Sequence, residues 1–452
     1  MKIRFALSLI FILTLVFSAT DIPAMAGIAT ATTTRISVNA RGDEGNSWST
    51  KPAISADGRC VVFESWADNL VDGDANSAND IFAYDRQTRT LSLVSLTDSG
   101  DQANGNSGGW GKSSVSADGR FVAFVSTAIN LVSGDTNDNT DIFVRDRTAN
   151  TTTRVSVSST GTQANGDSDY PAISGDGRYV AFWSAANSLA AGDTNDALDI
   201  FVHDLMTHQT TRVAIGNAGD VGHGGRLDIS HDGRYIAFTS HVDTLVPNDD
   251  NAMPDVFLYD RNTGQFSRVS LTSAGGEGDG VSWNVALSPD ARFVAFTSNA
   301  TNLVAGDTND EGDVFVRDRQ SNQTTRVSIS SSGAQTGQFE HSDLAAISAD
   351  GRYVAFESTG SNLAAGDTND RPDIFVRDRQ TNQTSRVSVT SGGAQAGGES
   401  SNAAISGDGR FVVFDSYAAD LAPNDGNAAT DVFLHDRSGG RNSYLPLTMK
   451  RR

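Results

Sequence analysis

At 452 residues the chain is long enough for two or three ordinary domains, and its 34 Lys plus Arg against 55 Asp plus Glu leave a formal charge of −21. That balance argues against nucleic acid and anionic lipid as partners and favours solubility, cations or a basic partner. A lone cysteine, Cys60, excludes an internal disulfide, and 44 Gly with 9 Pro in a chain that is 38% hydrophobic suits sheets and turns better than helices.

Taken in chain order, residues 1–26 read as a secretory signal. Lys2 and Arg4 give a positive start, Phe5 to Phe17 is uncharged and mostly apolar, and Ala24-Met25-Ala26 places small residues at a cleavage point. A membrane anchor is the alternative, but the apolar run is shorter than the ~18 residues that a spanning helix needs. No later stretch could cross a bilayer, so the mature chain is expected to have no transmembrane segment.

One pattern then recurs seven times: Ser-x-Asp-Gly-Arg-aromatic-Val-Ala-Phe, Asp-x-Asn-x-x-x-Asp-(Ile/Val)-Phe, Asp-Arg, and a Thr-Arg-Val-Ser-Val tail. Its turn aspartates are Asp57, Asp118, Asp176, Asp232, Asp290, Asp350 and Asp408. A repeat of about 60 residues with four short apolar runs is one four-stranded antiparallel blade. Seven such blades predict an all-β, seven-bladed β-propeller over residues 27–440, followed by a tail at 441–452. The first run is small, as in Ala346-Ile347-Ser348, and suits the crowded axis. The Asp-Gly that follows is a hairpin signal. The second and third runs, such as Tyr353-Val354-Ala355-Phe356 and Ile374-Phe375-Val376, are apolar on both faces and belong between neighbouring sheets. The last, Thr325-Arg326-Val327-Ser328-Ile329, alternates and belongs on the outside. Cys60 stands where other repeats place Phe121, Tyr179, Tyr235, Phe293, Tyr353 and Phe411, so it is expected to be a packing residue.

The repeats run out of phase with the blades. Thr34-Arg35-Ile36-Ser37-Val38 matches an outermost strand yet precedes the first inner one. It is therefore expected to complete the last blade beside residues 431–434 and close the ring. Tyr444-Leu445-Pro446-Leu447 competes for the same place, although Pro446 would restrict it to an edge.

These motifs resemble the WD40-like propeller repeats of the TolB type, often called PD40, over residues 34–437. The form Gly-Asp-Thr-Asn-Asp-x-x-Asp-Ile-Phe-Val-Arg-Asp-Arg is similar to that of exported bacterial members. The resemblance implies the fold and an envelope location. It does not imply an activity, and the extra N-terminal domain of TolB has no counterpart here, which puts a role in the Tol system in doubt.

Two sets of residues are candidates for chemistry. Oxygen-rich loops carry Asp135/Asn137/Asp141, Asp193/Asn195/Asp199, Asp307/Asn309/Asp313 and Asp367/Asn369/Asp373, with further acids at Asp138, Asp196, Asp310 and Asp370. Such loops could hold calcium, or their side chains could cap the loop's own amides. The second set breaks the repeat in the loops leading into the inner strands: Trp48, Trp110, Tyr170, His223, Arg226, Trp283, Glu340 and His341. By propeller geometry these rim one mouth of the channel. The aromatics could stack on sugar or peptide, and the histidines and Glu340 could form an acid–base set. No Ser-His-Asp or zinc spacing is present. The expectation is an exported, monomeric, non-enzymatic scaffold that binds protein or glycan, with no certain cofactor beyond possible calcium. A carbohydrate- or peptide-acting enzyme and a calcium-stabilised surface protein remain the alternatives.

Overall fold

The computed structural model describes residues 31–109, 111–194, 197–213 and 226–438. The expected signal (1–26), the tail (441–452) with Tyr444–Leu447, and Trp110, Asn195, Asp196 and His223 lie outside the described residues.

The seven sheets are each four-stranded and antiparallel, and no helix occurs among the described residues. Blade 5 shows the pattern: inner strand Ser282–Leu287, then Phe293–Ser298, Asp313–Asp318 and outer strand Gln323–Arg326. In blade 7 the outer place is taken by Thr32–Arg35, which pairs with Asp431–Asp436 in the register Thr32↔Asp436 and Arg35↔Phe433. The N-terminal strand thus closes the ring, as expected. The ladder strand begins two residues earlier than the Thr34 start read from the repeat. Ile36 still donates its N–H to Val432 O at 2.8 Å.

Each blade carries a phenylalanine pair across its second and third strands, such as Phe63↔Phe82 and Phe315↔Phe296. The rings stack with centroids 5.8 Å apart in both cases and are fully buried. Layers of this kind between sheets form the core, because both faces of the middle strands are covered.

The Asp-Gly-Arg turns join the blades. In blade 6, Asp350 accepts from the Ser348 hydroxyl (2.7 Å) and the Arg352 N–H (2.9 Å), and Arg352 pairs with Asp378 at 2.7 Å. Gly351 sits at φ +70, and a Cβ there would lie 2.1 Å from the Phe293 ring of the preceding blade. Both the backbone and the neighbour therefore demand glycine. Arginines from two blades sandwich one ring: Arg234 and Arg319 lie 4.7 and 4.5 Å from the Tyr235 centroid. At the matching place Cys60 is buried, receives an Arg147 guanidinium N–H at 3.0 Å, and its thiol is pushed up to about 11 by burial. It packs, as expected, and is held as a thiol.

Candidate binding face and channel

The inner strands position the channel-lining residues. In five blades the first two ladder pairs are followed by a register shift, for example between Asp343 and Ala346. The bulged residues take positive φ: Lys51, Tyr170, Asn284, Leu344 and Asn402. Lys112 and Arg226 occupy the same place in blades 2 and 4, where the inner strands are only Ser114–Val115 and Asp228–Ile229. A ring of seven aligned side chains of five kinds, two Lys, two Asn, Tyr, Arg and Leu, therefore stands at the channel waist. Beneath it lies a cavity of about 250 Å³ whose floor is small, with Ala53, Ala172, Ala286, Ala346 and Ala404 among its lining.

Two cations reach across this waist. The Lys112 ammonium, from blade 2, donates to Asn402 O at 2.8 Å and Ala403 O at 3.3 Å in blade 7. Arg226, from blade 4, donates to Asn402 Oδ1 at 3.3 Å. Burial holds the Lys112 ammonium well below the usual lysine range and lowers Arg226 as well. The acids around them are displaced the other way by burial: Asp228 and Asp415 rise to about 6, and Glu357 is raised.

Most of these acids have a structural partner. Asp415 accepts the Lys51 N–H at 2.7 Å and Asn402 Nδ2 at 3.0 Å. Asp228 accepts the Leu287 N–H at 2.7 Å. Asp343 accepts from Trp283 Nε1 (3.2 Å), Asn284 Nδ2 (2.9 Å) and the Thr297 hydroxyl (2.6 Å). Lys51 pairs with Glu64 at 2.8 Å. Asp415 thus ties the bulged Lys51 backbone of blade 1 to blade 7, and Asp228 ties the blade 5 backbone to blade 4.

The structure divides the sequence candidates. Tyr170 and Arg226 line the cavity. Trp283 is half-buried above it on Asp343. Glu340 instead folds back on its own loop, accepting the Gly337 N–H (2.6 Å) and the Ser361 hydroxyl (2.7 Å). His341 is exposed one rung further out, with its N–H on the Thr359 hydroxyl at 3.0 Å. Trp48 is 60% exposed at that same outer level. Lys51, Lys112, Asp228, Asn402 and Asp415 were missed. For Lys51, Lys112 and Asn402 a signal was available, since the position six residues before each turn aspartate reads Lys, Lys, Tyr, Arg, Asn, Leu, Asn.

The acidic loops prove to be arginine sockets. Arg326 lies 2.9 Å from both Asp307 and Asp313, and Ser328 also bonds Asp313. Arg154 reaches Asp135 (2.8 Å) and Asp141 (3.3 Å). Arg212 reaches Asp193 (3.4 Å) and Asp199 (2.7 Å). Arg386 lies 3.3 Å from Asp367 and Asp373. The clusters Asp249/Asp255/Glu277 and Glu44/Asp425/Asp431 hold Arg268 and Arg35 respectively. A guanidinium therefore stands among the oxygens that a divalent cation would use. The asparagines tie the loop to its neighbours: Asn137 donates to Ala164 O (2.8 Å), Asn369 to Ala396 O (2.9 Å) and Asn309 to the Thr336 hydroxyl (3.0 Å). Asp138, Asp310 and Asp370 sit at φ near +55, a conformation that Asp tolerates better than most residues.

Blade 1 is the exception. The register Phe315↔Arg326 becomes Phe82↔Leu93, so Asp74 and Asp80 have no arginine at this position. Gln102 (3.3 Å) serves Asp74, and Asn76 (2.8 Å) and Ser95 (2.5 Å) serve Asp80. Burial and the nearby Asp80 push Asp74 up to about 6.

Among solved structures, an oligogalacturonate lyase in complex with manganese is similar at 13% identity, with 90% of this chain and 94% of that chain covered and a TM-score of 0.55. The β-propeller domain of the Trilobed protease from Pyrococcus furiosus, described as having an open velcro topology, matches at 11% identity, 90% and 98% coverage and a TM-score of 0.52. The likeness is one of fold. TolB from Acinetobacter baumannii also matches, at 16% identity and a TM-score of 0.40; 75% of this chain is covered, and it spans 62% of the TolB chain. No protein-family model matches the chain, and no curated protein does. No helix among the described residues is long and apolar enough to cross a membrane.

Proposed function

We propose that the chain is an exported, non-catalytic binding scaffold of the cell envelope or cell exterior. On this reading it takes its ligands at the channel waist and on the loop face around it. One observation carries the reading. The charges of the repeated frame are neutralised within the frame in six of the seven blades, whereas the waist presents five kinds of side chain at its seven positions, with Lys112 and Arg226 extended across it. A buried ammonium and guanidinium next to amide and carboxylate groups suit a small polar ligand with an anionic or carbonyl end.

The raised carboxyls Asp228, Asp415 and Glu357 favour a second reading, an acid–base enzyme acting on carbohydrate or peptide. Their engagement with backbone N–H groups supports the first reading, because those bonds hold the bulges in place. A thermal-shift survey of small carboxylates, sugars and peptides, run beside turnover assays on glycans and peptides, separates the two. The scaffold reading expects stabilising ligands whose effect is lost in Lys112→Ala with Arg226→Ala, and no turnover. Turnover abolished by Asp228→Asn or Asp415→Asn would establish the enzyme. Residues 1–26 are tested by fractionating cells that express the chain with and without them.

A further inference from the structure

Beyond the waist, the exposed large apolar side chains have an uneven distribution. Among the described residues these are Trp48, Trp66, Ile129, Met206, Met253, Phe339 and Tyr417. All four aromatics fall in blades 6, 7 and 1, which are consecutive around the ring. The opposite face, with the Asp-Gly-Arg turns, buries its rings between arginines.

The outermost rung of each inner hairpin explains the grouping. In blade 1 the ladder pair Ser49↔Ser65 continues to Trp48 and Trp66, with the Trp66 N–H on Trp48 O at 2.9 Å. Residues opposite each other on antiparallel strands share a face, and Trp48 and Trp66 are 60% and 48% exposed. The same rung in blade 7 pairs Tyr417, 51% exposed, with Glu399 at 2.9 Å. In blades 2, 3, 5 and 6 it reads Thr127/Asn106, Ala185/Asp167, Asn299/Val281 and Thr359/His341. The Ser49 N–H bonds Thr430 O of blade 7 at 2.8 Å, which ties the inner strand of blade 1 to blade 7.

We propose that this arc, Tyr417 to Trp48 and Trp66, binds a neutral hexose polymer laid across blades 7 and 1. The proposal rests on the scaffold reading and names a ligand class for its loop face. Three features select the occupant. Indole and phenol rings offer flat, electron-rich faces to the C–H faces of sugar rings. Charged groups and amides flank the rings: Glu399, Asp420 and Arg371 border a hollow with Tyr417, and Asn46, two residues from Trp48, bonds Asp68 at 2.6 Å. Such a border suits hydroxyl groups and is unlike the charge-depleted centre of a protein interface. The formal charge of −21 repels anionic glycans and a second copy of the chain alike.

Affinity electrophoresis and calorimetry with hydroxyethylcellulose, laminarin and mannan test the proposal, with polygalacturonate as the anionic comparison. At least one neutral polymer should bind at both low and high salt. Trp48→Ala with Trp66→Ala, or Tyr417→Ala, should weaken that binding by about tenfold or more at an unchanged melting temperature. Trp48→Phe should retain part of it. Absence of binding to every neutral polymer, equal binding by the alanine variants, preference for polygalacturonate, or aromatic-dependent dimerisation would each overturn the proposal. The waist-ligand survey reads the scaffold proposal separately, so failure here would leave it standing.

Discussion

Replacing Leu93 by arginine should repair the one blade that lacks a socket cation. Leu93 faces Phe82 in the register that brings Arg154, Arg212, Arg268, Arg326, Arg386 and Arg35 onto their aspartate pairs. In the wild type, burial and the nearby Asp80 push Asp74 up to about 6, above the ordinary aspartate value of 3.8. An acid raised in this way contributes stability below its unfolded pKa and loses it as pH rises through the folded value. About two units at ~1.4 kcal/mol each set an upper bound of roughly 3 kcal/mol of strain at neutral pH. Asp74 is only partly buried, so solvent screening reduces this to about 1 kcal/mol. Leu93 is half-buried, and the arginine stem replaces most of its apolar cover. Denaturant unfolding at pH 7.5 should therefore show Leu93→Arg more stable by about 1 kcal/mol, with the gain shrinking at pH 4, where Asp74 of the wild type is protonated and carries no penalty. A gain of equal size at both pH values, or a loss at pH 7.5, would refute the socket argument.

The converse change, Arg326→Leu, leaves Asp307 and the fully buried Asp313 without their guanidinium and should cost about 3–5 kcal/mol. Calcium should leave the wild-type melting temperature unchanged and raise that of this variant, which melts in calcium and in chelator check. Stability as a whole should peak on the acid side of neutrality. Asp74, Asp228, Asp249, Asp307, Asp373, Asp415 and Asp431 are raised to about 6, so their contribution is lost as pH rises through that value. His203 and His435, lowered to about 4, oppose this, since their contribution is lost as pH falls from 6.5 toward 4. With seven groups against two, melting near pH 5 should exceed melting at pH 7.5. Deleting residues 27–39 should unpair Asp431–Asp436 and strip Arg35 from Asp431, which lowers the melting temperature and promotes association through the open edge. A monomer with wild-type melting would contradict ring closure by this strand.

The frame was legible in the sequence because it repeats. The Asp-Gly turns, the strand order and the out-of-phase closing strand all follow from aligning the seven copies. The sockets were not read, because an oxygen-rich loop looks the same whether its partner is a metal or an arginine from the next strand. The partner was nevertheless encoded: six copies place Arg where blade 1 places Leu93. The waist was half read. Tyr170 and Arg226 were found as irregular loop residues, whereas Lys51 lies in a strand-like run where a backbone bulge at positive φ sets its direction, and Lys112 stands just before the short inner strand of its blade. Trp48, Glu340 and His341 break the repeat as visibly as Arg226 does. Loop residues one rung further out point to solvent, and sequence spacing alone does not separate the two levels.

The most direct test of the account is hydrogen exchange on the wild-type chain, with and without a saturating ligand taken from the thermal-shift survey. The account predicts protection at the waist positions around Lys51, Lys112, Arg226 and Asn402 and on the loop face of blades 7 and 1, with the Asp-Gly-Arg turns unchanged. Protection centred on those turns, with the waist unaffected, would contradict it.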